Sequence, residues 1–193
     1  MLFEQCYTIT KFMSGFTRPW YIAGGWAVDL AIGRETRVHQ DAEIAVFRDD
    51  QLRLKKHLSQ FDFSKAANGK LLGWEGERVE LPIHELHAFH RTEDIQVECL
   101  LNESRDEDWL FRRDERVRFP INSIGSVYQH SIPYLRPEIT LLYKSKHPGI
   151  KDEQDFCHLL NHMSDQSTLR LQTALQTYQP NHRWLKLLRE KKR

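Results

Sequence analysis

The sequence has almost no charge of one sign to spare, since 28 lysines and arginines face 27 aspartates and glutamates for a formal net charge of +1. That balance leaves no broad basic footprint, and a long nucleic-acid partner is not expected. Cysteine is scarce: Cys6, Cys99 and Cys157 are odd in number and far apart. They exclude a disulfide framework and fit a reducing compartment. No apolar run approaches the ~20 residues of a membrane span, and Met1 to Phe16 lacks the basic start of a secretory signal. No membrane partner and a cytoplasmic location are therefore expected. Repeats and low-complexity segments are missing too. What is there is an ordinary globular composition, 40% hydrophobic and 28% charged over 193 residues. That length suffices for one good-sized core with a smaller helical appendage.

Apolar spacing predicts an amphipathic helix over residues 2–16, a short buried strand at 20–23, and a helix over 26–32 followed by Gly33 as its C-cap. A second strand is expected at 43–47, and a helix over 51–60 capped by Asp49 or Asp50. From Phe61 the texture becomes strand-like, with pieces at 70–74, 81–86 and 95–101 and a further pair at 109–112 and 116–119. The 133–137 stretch, with Pro133 and Pro137, is the best boundary. Beyond it helices are expected at 138–146, 152–163, 165–178 and 182–192. The expected fold class is α+β, with an α/β part over 1–132 and a helical region over 133–193. Residues 189–193 read as a solvated basic helix end.

Chemistry concentrates after a double glycine. Gly24-Gly25 sits between a strand and a helix, where bare N–H groups offer a place for a phosphate. About 16 residues on come Asp41 and Glu43, which period-two alternation sets on one face of a strand. Two acids on a shared face repel unless a cation lies between them. Glu98, embedded in Gln96-Val97-Glu98-Cys99, is the candidate for a third acid, with Asp94 as its competitor. Other signals are weaker. Asn68-Gly69-Lys70 lacks the remaining glycine and hydroxyl of a phosphate-binding loop. His84, His87 and His90 recur at three-residue steps, which on a helix would begin a metal cluster, but the zinc-protease spacing is absent. Arg112-Arg113-Asp114 and Arg116 could touch an anionic substrate, but the favoured reading is a solvated charged turn. Trp74, Trp109 and Trp184 read as core.

The pattern Gly24-Gly25-Trp26-Ala27-x-Asp29, Arg34, Arg37, His39-x-Asp41-x-Glu43 resembles the nucleotidyltransferase superfamily that includes DNA polymerase beta. It looks most like the aminoglycoside 2''-adenylyltransferase and lincosamide nucleotidyltransferase branch. The later run Tyr134-Leu135-x-Pro137-Glu138 through Lys144-x-Lys146-x-Pro148 to Asp152 and Asp155-Phe156 resembles the same branch's helical segment.

That resemblance implies a mixed sheet flanked by helices, closed over by a C-terminal helical part. It implies ATP or another nucleoside triphosphate as co-substrate, with Mg²⁺ or Mn²⁺. Gly24 and Gly25 match the triphosphate cradle, and Asp41 and Glu43 match the metal-binding pair. Glu98 falls where a third acid serves as metal ligand or general base, and Lys144 or Lys146 where a helix lysine meets the phosphates. Residues two apart on a helix point ~200° away from each other, so only one lysine is expected to face the cleft, with Lys144 favoured. The implied reaction moves a nucleoside monophosphate to a hydroxyl of a small molecule such as an aminoglycoside- or lincosamide-like antibiotic. Related enzymes commonly carry Asp-x-Asp, so Glu43 adds a methylene to a site for an ion that tolerates little deviation. A toxin-like enzyme acting on tRNA or protein, and a catalytically silent nucleotide-binding protein, are the alternatives.

Overall fold

Hydrophobic alternation builds one mixed sheet, and helices bury its two faces. The computed structural model describes residues 2–191, so Lys192 and Arg193 of the basic end lie outside the described residues. In chain order the strands are β1 (Trp20–Ile22), β2 (Ala42–Phe47), β3 (Phe61–Ala67), β4 (Lys70–Gly73), β5 (Glu85–His90) and β6 (Gln96–Arg105). They continue with β7 (Asp108–Leu110), β8 (Arg118–Pro120), β9 (Gly125–Tyr128) and β10 (Ile132–Leu135). The helices are α1 (Glu4–Phe12), α2 (Gly24–Ile32), α3 (Gln51–His57), α4 (Pro137–Lys144), α5 (Ile150–Leu160), α6 (Asp165–Tyr178) and α7 (Trp184–Glu190). The main path of the sheet runs β4-β3-β5-β6-β2-β1-β10-β9, with β7 and β8 added beside the far half of β6. The pairs β2–β6 and β1–β10 are parallel. The fold class is α+β, as expected.

Strand β2 shows why this sequence makes a two-sided sheet. Ala42, Ile44 and Val46 enter one core with Phe3, Cys6 and Ile9 around α1. Ala45 and Phe47, pointing the other way, join a second core with Leu141, Phe156, Leu171 and Trp184 from the C-terminal helices. The same alternation sends Val97, Cys99 and Leu101 of β6 to the first core. Their neighbours Glu98, Leu100 and Asn102 face the helical side.

Several expectations shift. The strand expected at 81–86 forms four residues later, and β6 runs on to Arg105, past the expected end at Leu101. Strands β9 and β10 fall where a boundary was expected. Pro133 is compatible because β10 is short and lies beside the edge strand β9. Asp50 stands at the N-cap of α3, but its side chain makes no cap bond and instead pairs with Arg18 at 2.9 Å and with Arg53 at 2.6 Å. Asn68-Gly69 is the β3–β4 hairpin turn, both residues having positive φ. The three tryptophans singled out are buried in the cores, and all three cysteines are free. Among the described residues no helix is long and apolar enough to cross a membrane.

Candidate active site

Helix α2 starts at the glycines themselves, and the acids explain why glycine stands there. Gly24 has φ +58°, a conformation that a side chain makes costly, and a Cβ on it would fall inside the Glu43 carboxylate. A Cβ on Gly25 would collide with the His39 ring and the Arg37 guanidinium. The Gly25 N–H donates to Glu43, so the carboxylate of β2 lies over the N-terminus of α2. The extra methylene of Glu43 thus has a place: it carries the carboxylate to the positive end of a helix.

Glu98 is the register partner of Glu43 across the parallel β2–β6 pair. On its other side His87 of β5 is the register partner of Glu98. His87 Nε2–H donates to Glu85 Oε1 at 2.6 Å, and its Nδ1 lies 3.9 Å from Glu98 Oε1. The ligand atoms of Glu85, His87 and Glu98 lie within 4.8 Å of one another. Asp41 lies exposed just before β2, close enough for its charge to act on Glu43. Burial pushes the Glu98 carboxyl up to about 7, helped by Glu85 and Glu43 and opposed by His87. Burial also raises Glu43, against the pull of Lys144 and with the push of Asp41 and Glu85. The carboxylates are crowded, and a cation among them would relieve the crowding.

A cleft of about 410 Å³ opens at this acidic end. Gly24, Glu43, Glu85, Lys144 and Lys146 line it, and it continues past Leu100 and Asn102 to Arg112, Arg113 and Tyr143. Lys144 ends α4 and bridges Asp155 at 2.9 Å and Asp152 at 3.0 Å. Burial pulls its ammonium down, but those two acids outweigh it and hold it above the ordinary lysine range. Lys146 lies beyond the helix end, so helical geometry no longer separates the two lysines; both line the cleft. The expectation of a single cleft-facing lysine fails because the helix stops.

The remaining residues of the sequence pattern support this floor from below. Asp29, fully buried on α2, accepts from the Thr36 N–H at 3.1 Å and from His39 Nε2–H at 2.6 Å. His39 Nδ1 then accepts from Arg37 Nη1 at 3.0 Å, which a neutral ring with its proton on Nε2 satisfies. Arg37 also reaches Asp155 at 3.4 Å, tying the loop before β2 to the acids that hold Lys144.

Residues that sequence reasoning passed over are now visible. Glu85 and His87 repeat the two-residue step of Asp41 and Glu43, a strand signal hidden by viewing the histidines at helical spacing. On β5 a three-residue step alternates faces, so His90 packs against Phe12 and Phe61 on the opposite side. Arg112 and Arg113 are not a solvated turn. Only Asp114 and Arg116 pair at the surface, at 2.6 Å.

Residues 6–159 match the model of the family described as aminoglycoside-2''-adenylyltransferase. The chain belongs to that family. Among solved structures, the lincosamide antibiotic adenylyltransferase LnuA, lincomycin-bound, is similar at 17% identity and TM-score 0.58, over 84% of this chain and 99% of that one. ANT(2'')-Ia in complex with adenylyl-2''-tobramycin shares 15% identity at TM-score 0.59, over 90% and 98%. The solution structure of ANT(2'')-Ia gives 15% and 0.60, over 98% of both chains. At these identities the neighbours show the adenylyltransferase fold, and enzymatic nucleotidyl transfer is the activity of the family. No curated protein matches the sequence with significance.

Proposed function

We propose that this protein transfers a nucleoside monophosphate, AMP from ATP, to a hydroxyl of a small molecule, with Mg²⁺ or Mn²⁺ in the site. Family membership favours a hydroxylated, antibiotic-type acceptor, and three free cysteines favour the cytoplasm. The observation that carries the reading is the register pairing of Glu43 with Glu98, with the Glu43 carboxylate over the N-terminus of α2. Asp41, Glu43 and Glu98 would hold the cation, because an all-oxygen, anionic donor set is the kind these hard ions take. When bound, the cation supplies charge neutralisation for the phosphates.

The chain's own groups divide the remaining work. The N–H groups at Gly24 and Gly25 bind phosphate oxygens, and Lys144 adds a fixed positive charge toward the leaving pyrophosphate, with Lys146 on the cleft wall as a second cation. Asp152 and Asp155 orient Lys144. The acceptor oxygen forms a bond to the α-phosphorus while the bridging α–β bond breaks, its electron pair leaving with pyrophosphate. The hydroxyl proton passes to the Glu98 carboxylate.

The test is metal-dependent pyrophosphate release from ATP across a panel of hydroxylated small molecules. Asp41→Asn should abolish metal-dependent nucleotide binding while leaving the melting temperature nearly unchanged, since Asp41 is exposed. Glu98→Gln should weaken nucleotide affinity far less than Asp41→Asn and slow turnover by about 10²-fold or more. Nucleotide binding by Asp41→Asn as tight as wild type would overturn the assignment. Binding without any pyrophosphate release would leave a silent nucleotide-binding protein.

A further inference from the structure

The cleft changes character along its length. At one end stands Glu43, the register partner of Glu98; at the other, Arg112 and Arg113 follow β7 and lie against Tyr143 of α4, whose hydroxyl donates to Asn102. Leu100 and Leu101 of β6 and Leu135 of β10 line the middle. Side chains two apart along β6 advance by ~7 Å, so the step from Glu98 through Leu100 to Asn102 separates the two ends by more than a phosphate's width.

Arg112 is half-buried, and among the described residues no carboxylate or hydrogen-bond acceptor engages it. Its guanidinium rests over the Tyr143 ring at 5.9 Å. The nearest acid that influences it, Glu103, is already paired with Arg48 at 2.7 Å. Burial lowers the Arg112 pKa, with Arg113 and Arg48 adding to the effect and Tyr143 and Glu103 opposing it. Arg113 donates from Nη1 to the Tyr143 carbonyl at 2.6 Å, while its buried Nε has no partner. By contrast Lys144 is committed to two aspartates. The lining thus holds four cations, Arg112, Arg113, Lys144 and Lys146, against three carboxylates, Glu43, Glu85 and Asp152. Among the described residues, Arg112, Arg113 and Lys146 of this lining make no ion pair, whereas Lys144 makes two.

We propose that Arg112 and Arg113 form an anion subsite, and that the hydroxyl acceptor carries a phosphate-, sulfate- or carboxylate-type group placed there. The inference rests on the nucleotidyl-transfer reading and names its acceptor class. The acceptor end is assigned because the triphosphate already has the α2 N-terminus and Lys144. Arg112, moreover, is coupled to Arg48, Arg113, Glu103 and Tyr143 rather than to Glu43 or Asp41. Arginine, with its planar fork of donors, suits a multidentate anion. A polyamine such as tobramycin would bring like charge to this wall. The acceptor of this protein therefore differs in charge from the adenylylated ligand of the ANT(2'')-Ia complex.

Arginine Nε–H and backbone amide resonances of the full chain report on both sites. The protein is titrated with inorganic phosphate and separately with tobramycin, each with and without Mg²⁺ and a non-hydrolysable ATP analogue at saturation. Phosphate should shift Arg112 and Arg113, with a midpoint changed less than twofold by the nucleotide, and tobramycin should leave them in place. Arg112→Gln should weaken phosphate at least tenfold, and Arg113→Gln provides a second variant should the first fail to fold. Absence of a phosphate shift, shifts produced by tobramycin instead, or displacement of phosphate by the nucleotide would each overturn the assignment. A nucleotide analogue that fails to move Gly24 and Gly25 sinks the transfer reading, and with it the acceptor assignment. Phosphate shifts at Arg112 would then still report an anion site, so the two failures are told apart.

Discussion

Gly24 answers two demands at once, a positive φ and the space taken by the Glu43 carboxylate. A residue with a Cβ pays about 1–2 kcal/mol for the left-handed conformation alone. Gly69, in the β3–β4 turn, has φ +72° but open space where its Cβ would go. Comparing Gly24→Ala with Gly69→Ala therefore separates the backbone cost from the contact. Both should lower the denaturation midpoint, but Gly24→Ala by the larger amount, and only Gly24→Ala should lose metal-dependent nucleotide binding in calorimetry. Equal losses of stability with nucleotide binding intact would mean that Glu43 simply moves aside. At this scale the acidic site was legible because glycine and period-two spacing are local signals. Arg112 was read as solvated for the opposite reason: its environment is made by Tyr143 and Asn102, which stand on other elements of the chain.

His182 joins two helices of the C-terminal side. Its Nε2–H donates to the Ser145 carbonyl beyond α4 at 3.0 Å, and its Nδ1 accepts from the Trp184 N–H at the start of α7 at 3.2 Å. Only the neutral ring can do both. Burial lowers its pKa from the ordinary 6.5, with Arg183 adding to the effect and the Ser145 carbonyl and Glu153 opposing it. The unfolded chain therefore takes up the proton first. Stability from this group is complete above pH 6.5 and is lost as pH falls below it. Thermal melts from pH 7.5 to 5 should show a decline that His182→Gln flattens; an unchanged slope in the variant would remove His182 as its source. Elements were legible where local signals end them. Helix α6 spans the expected 165–178, opened by Ser164, whose side chain accepts from the Ser167 N–H. Strands β9 and β10 were not legible, since four residues with one proline carry no period and exist by pairing with distant chain.

The helices after Pro137 share their core with the sheet. Phe156 and Trp184 stack with centroids 4.3 Å apart, fully buried, in the same cluster as Ala23, Ala27 and Ala45. We propose that 1–132 and 133–193 are two walls of one cooperative unit. Trp184→Ala should cost about 3–5 kcal/mol, with far-UV circular dichroism and hydrogen exchange in β3 and β5 giving coincident transitions. A split transition would make the helical side a separate folding domain. The parallel pairing of Ile22 with Tyr134 has a further consequence for biosynthesis. When β2 emerges from the ribosome it can pair with β1 at once, but Glu43 meets Glu98 only after β6 is made, and β1 keeps an open edge until β10 arrives. Nascent chains stalled before residue 132 should therefore present a bare strand edge, the template on which chains stick to one another. Such contact-distant closure is slow by nature. The last strand to be synthesised is thus the one that covers the open edge of β1.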